Sequence, residues 1–230
     1  FKGFSYFTEM SDIINRLEDH VASARMKTTP VIDFEKNESL KGLDYLDTIY
    51  HAIVNEHPIQ LKYRSFKARS ANSFIFYPYL LKEYRNRWFV YGVRGNGRVL
   101  QNLALDRIQS LEVLPQEHYI KNTFFDSNTF FDDLVGVTKN TGSVAEKVGF
   151  KVAAAEAPYI ITKPIHRSQQ VMERLADGSV ILEIEVVINH ELERVFFGYA
   201  EGIQVLYPKT LVELMGRKLK KAAEQYTHSK

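Results

Sequence analysis

From Ile59 to Leu114 the apolar residues recur at every second position in short runs broken by turn residues, a period that admits strands and excludes helices. Ile59, Leu61 and Tyr63 face one way and Gln60, Lys62 and Arg64 the other, as in a half-buried strand with a basic outer side. Phe74 to Lys82, Arg87 to Arg94, Val99 to Leu105 and Ile108 to Leu114 read as the strands that follow. Gly95-Asn96-Gly97 reads as a hairpin turn, because glycine and asparagine tolerate positive φ. Five short strands are enough for a small closed barrel of SH3 or Sm-like type.

Between Lys62 and Arg107 there are ten basic residues and two acidic ones, a net charge of +8 in a chain whose total is +2. The remainder therefore sums to −6, and the positive charge belongs to one module. Rings interleave with these cations: Tyr63, Phe66, Phe74, Phe76, Tyr77, Tyr79, Tyr84, Trp88, Phe89 and Tyr91. Rings that stack bases beside cations that meet phosphates suit a binder of single-stranded nucleic acid or nucleotides. The same residues also describe a barrel with an aromatic core and a wetted cationic face. The uncompensated sign favours binding, since ordinary surfaces intersperse acids among their bases. The candidate ligand-binding residues are Lys62, Tyr63, Arg64, Arg69, Tyr79, Arg85, Arg87, Tyr91 and Arg107. Trp88, on a strand of alternating faces, is placed in the core, and Asp106 is positioned to hold Arg107 in an ion pair.

The segments Tyr77-Pro78-Tyr79-Leu80-Leu81, Trp88-Phe89-Val90 and Leu103-Ala104-Leu105-Asp106-Arg107-Ile108 together resemble the hallmark pattern of the WYL domain, a ligand-sensing module of bacterial transcriptional regulators. The tripeptide reads Trp-Phe-Val in place of Trp-Tyr-Leu, and Gln101 stands where the family often has an arginine. Thr162 to Gln169, and Val205-Leu206-Tyr207-Pro208 followed by a helix, resemble the C-terminal extension that accompanies WYL domains. The resemblance implies an SH3/Sm-like barrel, a position for Arg107 within the family pattern, and a winged helix-turn-helix domain upstream. Promoter DNA would be met only through that missing upstream domain, consistent with a chain that opens on Phe1.

Ahead of the strands, Met10, Ile13, Ile14, Leu17, Val21 and Ala24 recur at helical steps and predict an amphipathic helix over Thr8 to Arg25, facing its own domain or a second copy of the chain. Leu40, Leu43, Leu46, Ile49, Tyr50 and Ile53 predict a second helix, ended before Pro58. Beyond the strands, 116–146 is too apolar for a free linker and is expected to pack across the barrel. The rest reads as strand, helix, strand, an Asp177-Gly178 hairpin, strand, helix capped by Asn189, strand and terminal helix, the ferredoxin-like β-α-β-β-α-β plan. The expected organisation is α+β: 1–57 a helical linker and dimerisation segment, 58–115 the barrel, 116–146 the packed connection, and 147–230 the ferredoxin-like extension.

Hydrophobic content of 45% and charged content of 25% describe a globular chain with ample core. Zero cysteines exclude disulfides, thiolate metal sites and cysteine nucleophiles. No apolar run approaches the length of a membrane span, and a cytoplasmic setting is expected. The seven histidines form no close ligand pair, and His190-Glu191-Leu192-Glu193-Arg194 has an arginine where a zinc-protease helix needs its second histidine. Neither a nucleophile elbow nor a P-loop occurs, and Asp132-Asp133 reads as a loop or helix start. No catalytic residue, metal or cofactor is assigned. Lys163, His166, Arg167 and Gln169, in a donor-rich loop, are secondary ligand candidates against a plain structural role. The expected function is the sensing and homodimerisation region of a regulator that binds an anionic effector, single-stranded nucleic acid or a nucleotide. The alternatives are a nucleic-acid hydrolase and a structural module for an acidic protein partner.

Overall fold

The structure is a computed structural model that describes residues 41–95, 97 and 99–227. The helix expected over Thr8 to Arg25 lies outside the described residues. The chain divides into two compact units, Phe1–Phe125 and Asp126–Lys230. The expected 116–146 connection is thus shared between them.

The first unit begins with a 3₁₀ turn, Leu43–Tyr45, leading into helix α1, Leu46–Val54. The expected helix from Leu40 starts late because Gly42 stands at φ +83, outside the helical region. A Cβ on Gly42 would lie 2.3 Å from the carbonyl of Leu105, so the backbones meet directly there. Five strands follow: β1 Ile59–Tyr63, β2 Asn72–Tyr84, β3 Arg87–Arg94, β4 Leu100–Ala104 and β5 Ile108–Val113. They form one antiparallel sheet in the order β4-β3-β2-β1-β5.

That order forces the sheet to roll. In a flat sheet, edge strands four spacings apart would be separated by about 19 Å. Here the edges β4 and β5 are joined by a single 3₁₀ turn, Leu105–Arg107, whose rise is about 2 Å per residue. The edges are therefore drawn together, Leu105 is buried beneath the seam, and Asp106 and Arg107 remain on it. Leu46, Ile49 and Ala52 of α1 pack with Ile59, Leu61, Phe76, Val90, Leu103, Leu105 and Ile108 in the core, and Trp88 is half-buried against it.

Pro78 supplies no N–H to the sheet, and the β2–β3 register slips between Pro78 and Leu80. The slip changes which side chains face inward: Phe74 and Phe76 before it, Leu81 after it. Gly92 lies opposite Pro78, and a Cβ there would come within 2.1 Å of the Tyr77 carbonyl oxygen. Beyond β5 the chain turns back over Tyr77, Tyr79 and Tyr91. Tyr119 meets Tyr77 and Tyr79 edge-on, Phe124 stacks on Tyr79, and Phe125 meets Tyr91. The Tyr119 hydroxyl donates to the Pro78 carbonyl, which binds this strap to the point where β2 bends.

The second unit contains β6 Glu146–Val152, α2 Ala157–Thr162, β7 Gln170–Arg174, β8 Val180–Val186, α3 His190–Phe197, β9 Ile203–Tyr207 and α4 Lys209–Thr227. Its antiparallel sheet runs β7-β8-β6-β9, matching the expected β-α-β-β-α-β plan and giving the chain its α+β class. Val148, Phe150 and Val152 of β6 and Val180, Leu182, Ile184 and Val186 of β8 form the core with Ile160, Leu192, Phe196 and Leu211. Asn189 caps α3: its Oδ1 accepts from the Leu192 N–H at 2.9 Å, while its Nδ2 donates to the carbonyls of Val135 and Thr138. Among the described residues no helix is long and apolar enough to cross a membrane.

Gly92→Ala is expected to cost about 1–3 kcal/mol of stability, the usual penalty for forcing atoms into filled space. Urea unfolding monitored by Trp88 fluorescence checks it, and an unchanged midpoint would contradict the packing described.

Candidate ligand-binding site

The seam sets Asp106 and Arg107 beside the loop that follows β1. The Arg64 N–H donates to the Arg107 carbonyl at 3.1 Å, and a tight turn closed by the Ala68 N–H on the Ser65 carbonyl brings Phe66 alongside. Arg64, Ser65, Phe66, Asp106, Arg107, Ile108 and Gln109 line a pocket of about 300 Å³. The Arg107 guanidinium carbon lies 4.4 Å from the Phe66 ring centre, within cation–π range. Phe66 is nevertheless 74% exposed, so much of its ring is open to solvent.

From the start of β3, Arg87 reaches the seam with its Nε 3.2 Å from Asp106 Oδ2. Arg107 Nε is 3.9 Å from Asp106 Oδ1. Both the Asp106 Oδ1 and the Arg107 Nε are buried without a hydrogen-bond partner. Burial pushes the Tyr63 hydroxyl above the usual tyrosine range, against the opposing pull of the nearby Arg107 guanidinium. Two arginines, a carboxylate and an aromatic ring thus line the pocket, and Arg87 reaches its carboxylate from beside it.

Of the residues expected to bind, Arg64 and Arg107 line the pocket, while Tyr63 adjoins it through Arg107 and Arg87 through Asp106. Lys62 and Arg69 are exposed on β1 and in the loop after it, and they do not line the pocket. Arg85 and Asn86 form a two-residue turn with φ of 50 and 61, where the Arg85 guanidinium lies 5.5 Å from the centre of the Tyr84 ring. Tyr79 and Tyr91 leave the stacking set, because the strap buries them to 7% and 2% exposure. Burial also pushes the Tyr79 hydroxyl up to about 12. The ring that does face the pocket is Phe66, an aromatic flanked by Arg64 and Lys67 in a turn-forming stretch.

The secondary loop is largely consumed by its own fold. Gln169 accepts from the Ile165 N–H and donates to the Ile160 carbonyl. His166 Nδ1 accepts from the Ser168 N–H, and the Ser168 hydroxyl oxygen accepts from the Glu185 N–H. Burial, then the charge of Arg167, holds His166 below the usual histidine range. Arg167 pairs with Asp132 at 2.7 Å and Lys139 with Asp133 at 2.8 Å, while Lys163 is exposed. Among the described residues no group of three histidine, aspartate or glutamate side chains could hold a metal.

A rolled barrel with a cationic pocket at its seam, followed by an α+β unit, gives the chain a two-module architecture. The chain belongs to the WYL-domain family, with residues 44–113 matching the WYL domain and residues 145–223 the WCX domain. Among solved structures it is similar to the proteasome accessory factor B/C (PafBC) of Arthrobacter aurescens, at 17% identity and a TM-score of 0.37, covering 90% of this chain and 31% of that one. It is also similar to a CRISPR Cas-related protein, at 12% identity and a TM-score of 0.47, covering 81% of this chain and 52% of that one. The chain therefore spans under a third of the first and about half of the second. No curated protein matches it.

Tyr79→Phe is expected to leave stability unchanged or to raise it by up to about 1 kcal/mol, since the hydroxyl removed is buried and unpaired. Thermal unfolding checks this, and a clear loss would give that hydroxyl a partner. His166 contributes a pH dependence. The unfolded chain takes up its proton near pH 6.5, whereas the fold resists it, so stability falls as pH drops through that value. Unfolding of wild type and His166→Gln from pH 7.5 to 5 is expected to show a shallower decline in the variant.

Proposed function

We propose that this chain is the effector-sensing region of a transcriptional regulator, and that the effector is anionic, a nucleotide or a short single-stranded nucleic acid held at the barrel seam. The observation that carries this reading is the Arg107 guanidinium over the exposed Phe66 ring, with Arg64 and Arg87 beside it. Cations meet the phosphate and the ring offers a surface to a base, while the neighbouring groups fix their orientation. The WYL domain over residues 44–113 supports a sensing role, and no turnover step is assigned to it. Promoter DNA would be bound by a domain outside this chain, and a homodimer would match the two-fold symmetry usual in such regulators.

Titration of fluorescent single-stranded DNA and RNA at several salt concentrations tests the reading. The logarithm of the association constant should fall linearly with log salt, by about 0.7 per phosphate contacted. Arg107→Ala and Arg64→Ala should weaken binding and flatten that slope, and Phe66→Ala should cost about 1–3 kcal/mol for a stacked base. Equal binding by wild type and all three folded variants would remove the pocket as the site. Sedimentation at tens of micromolar, an order-of-magnitude choice for a standard interface, should show a dimer.

A further inference from the structure

We propose that Asp106 is a built-in competitor for the effector: its carboxylate holds Arg87 and stands beside Arg107, the cations that an incoming phosphate needs, so that binding requires the phosphate to take its place. The inference rests on the pocket being an anion site, as read above. Asp106 lies on the 3₁₀ seam with Oδ2 3.2 Å from Arg87 Nε, a charge-assisted contact of ordinary length. Its other oxygen, Oδ1, is 3.9 Å from Arg107 Nε, too far for a hydrogen bond.

Asp106 and Arg107 are neighbours in the chain, and consecutive residues of a helical turn project in different directions. The seam thus holds an acceptor and a donor side by side without letting them close, and both stay buried and unpaired. The Arg107 side chain is nevertheless 26% exposed, and an anion from outside, free of the backbone constraint, can meet the part of its guanidinium that faces solvent. A phosphate reaching the exposed part of the Arg107 guanidinium and Arg87 must approach a carboxylate of its own sign. Asp106 therefore keeps Arg87 in place while the pocket is empty and sets the threshold that an effector must exceed.

Removing that charge should tighten binding, the reverse of what loss of a supporting residue does. The full chain is titrated with a fluorescein-labelled oligothymidylate, comparing wild type with Asp106→Asn, Asp106→Ala and Asp106→Glu. Asp106→Asn and Asp106→Ala are expected to bind about tenfold more tightly, the order expected for deleting one like charge a few ångströms from the phosphate at a partly exposed site. Asp106→Glu keeps the charge and should stay within about twofold of wild type. The thermal midpoints of the Asn and Ala variants should be unchanged or lower, because an ion pair has been lost. A purely structural role would lower affinity and midpoint together.

Tighter binding by both neutral variants supports the proposal. Weaker or unchanged binding by either folded neutral variant overturns it. If Arg107→Ala abolishes binding while Asp106→Asn fails to tighten it, only this inference falls. If wild-type binding is indifferent to Arg107→Ala, the pocket reading falls and this inference with it.

Discussion

The constraint on which the first unit depends is the three-residue link between the edge strands of its sheet. Leu105, Asp106 and Arg107 must span from β4 to β5, and they succeed only if the sheet curls until its edges approach. The same residues divide between two tasks. Leu105 turns inward and joins the core beneath α1, while Asp106 and Arg107 are left at the surface with their backbone already fixed. A site built on a closure point is rigid without further support, because moving it would unroll the sheet.

The charge of the module follows from the same geometry. The cationic side chains are dispersed along 45 or so positions of sequence, but rolling brings the end of β1, the start of β3 and the seam into one neighbourhood. Arg64 and Arg107 line the pocket there, and Arg87 reaches Asp106 beside it. Lys62, Arg69 and Arg85 do not line that pocket. Charge density in sequence is thus a property of the module, whereas the lining of the pocket depends on which strand ends the closure brings together.

The alternation from Ile59 onward made the strands legible, and the β-α-β-β-α-β order of the second unit could be read from periodicity, the Asp177-Gly178 turn and the Asn189 cap. The fates of Tyr79 and Tyr91 could not. They hinge on a register slip at Pro78 and on a strap from Tyr119 to Phe125 that folds back over the strands. Period-two reasoning assumes unbroken pleating, and it assigns no destination to rings beyond the last strand. The donor-rich stretch from Lys163 to Gln169 shows the same limit: donors look available in sequence until their acceptors, the Ile160 carbonyl and Asp132, are supplied by the fold. Phe66 carried the opposite signal, a large ring in a turn with no apolar neighbour to cover it.

Gly42 gives the seam a mechanical role in addition to its chemical one. Its Cα presses on the carbonyl of Leu105 and the amide of Asp106, main chain against main chain, with no room for even a methyl group. Side chains absorb small displacements by changing rotamer, but two backbones in contact have no such slack. The point where the chain enters the barrel is therefore a bearing seated against the seam, and the turn Leu43–Tyr45 that follows it is held there with Leu105 to Arg107.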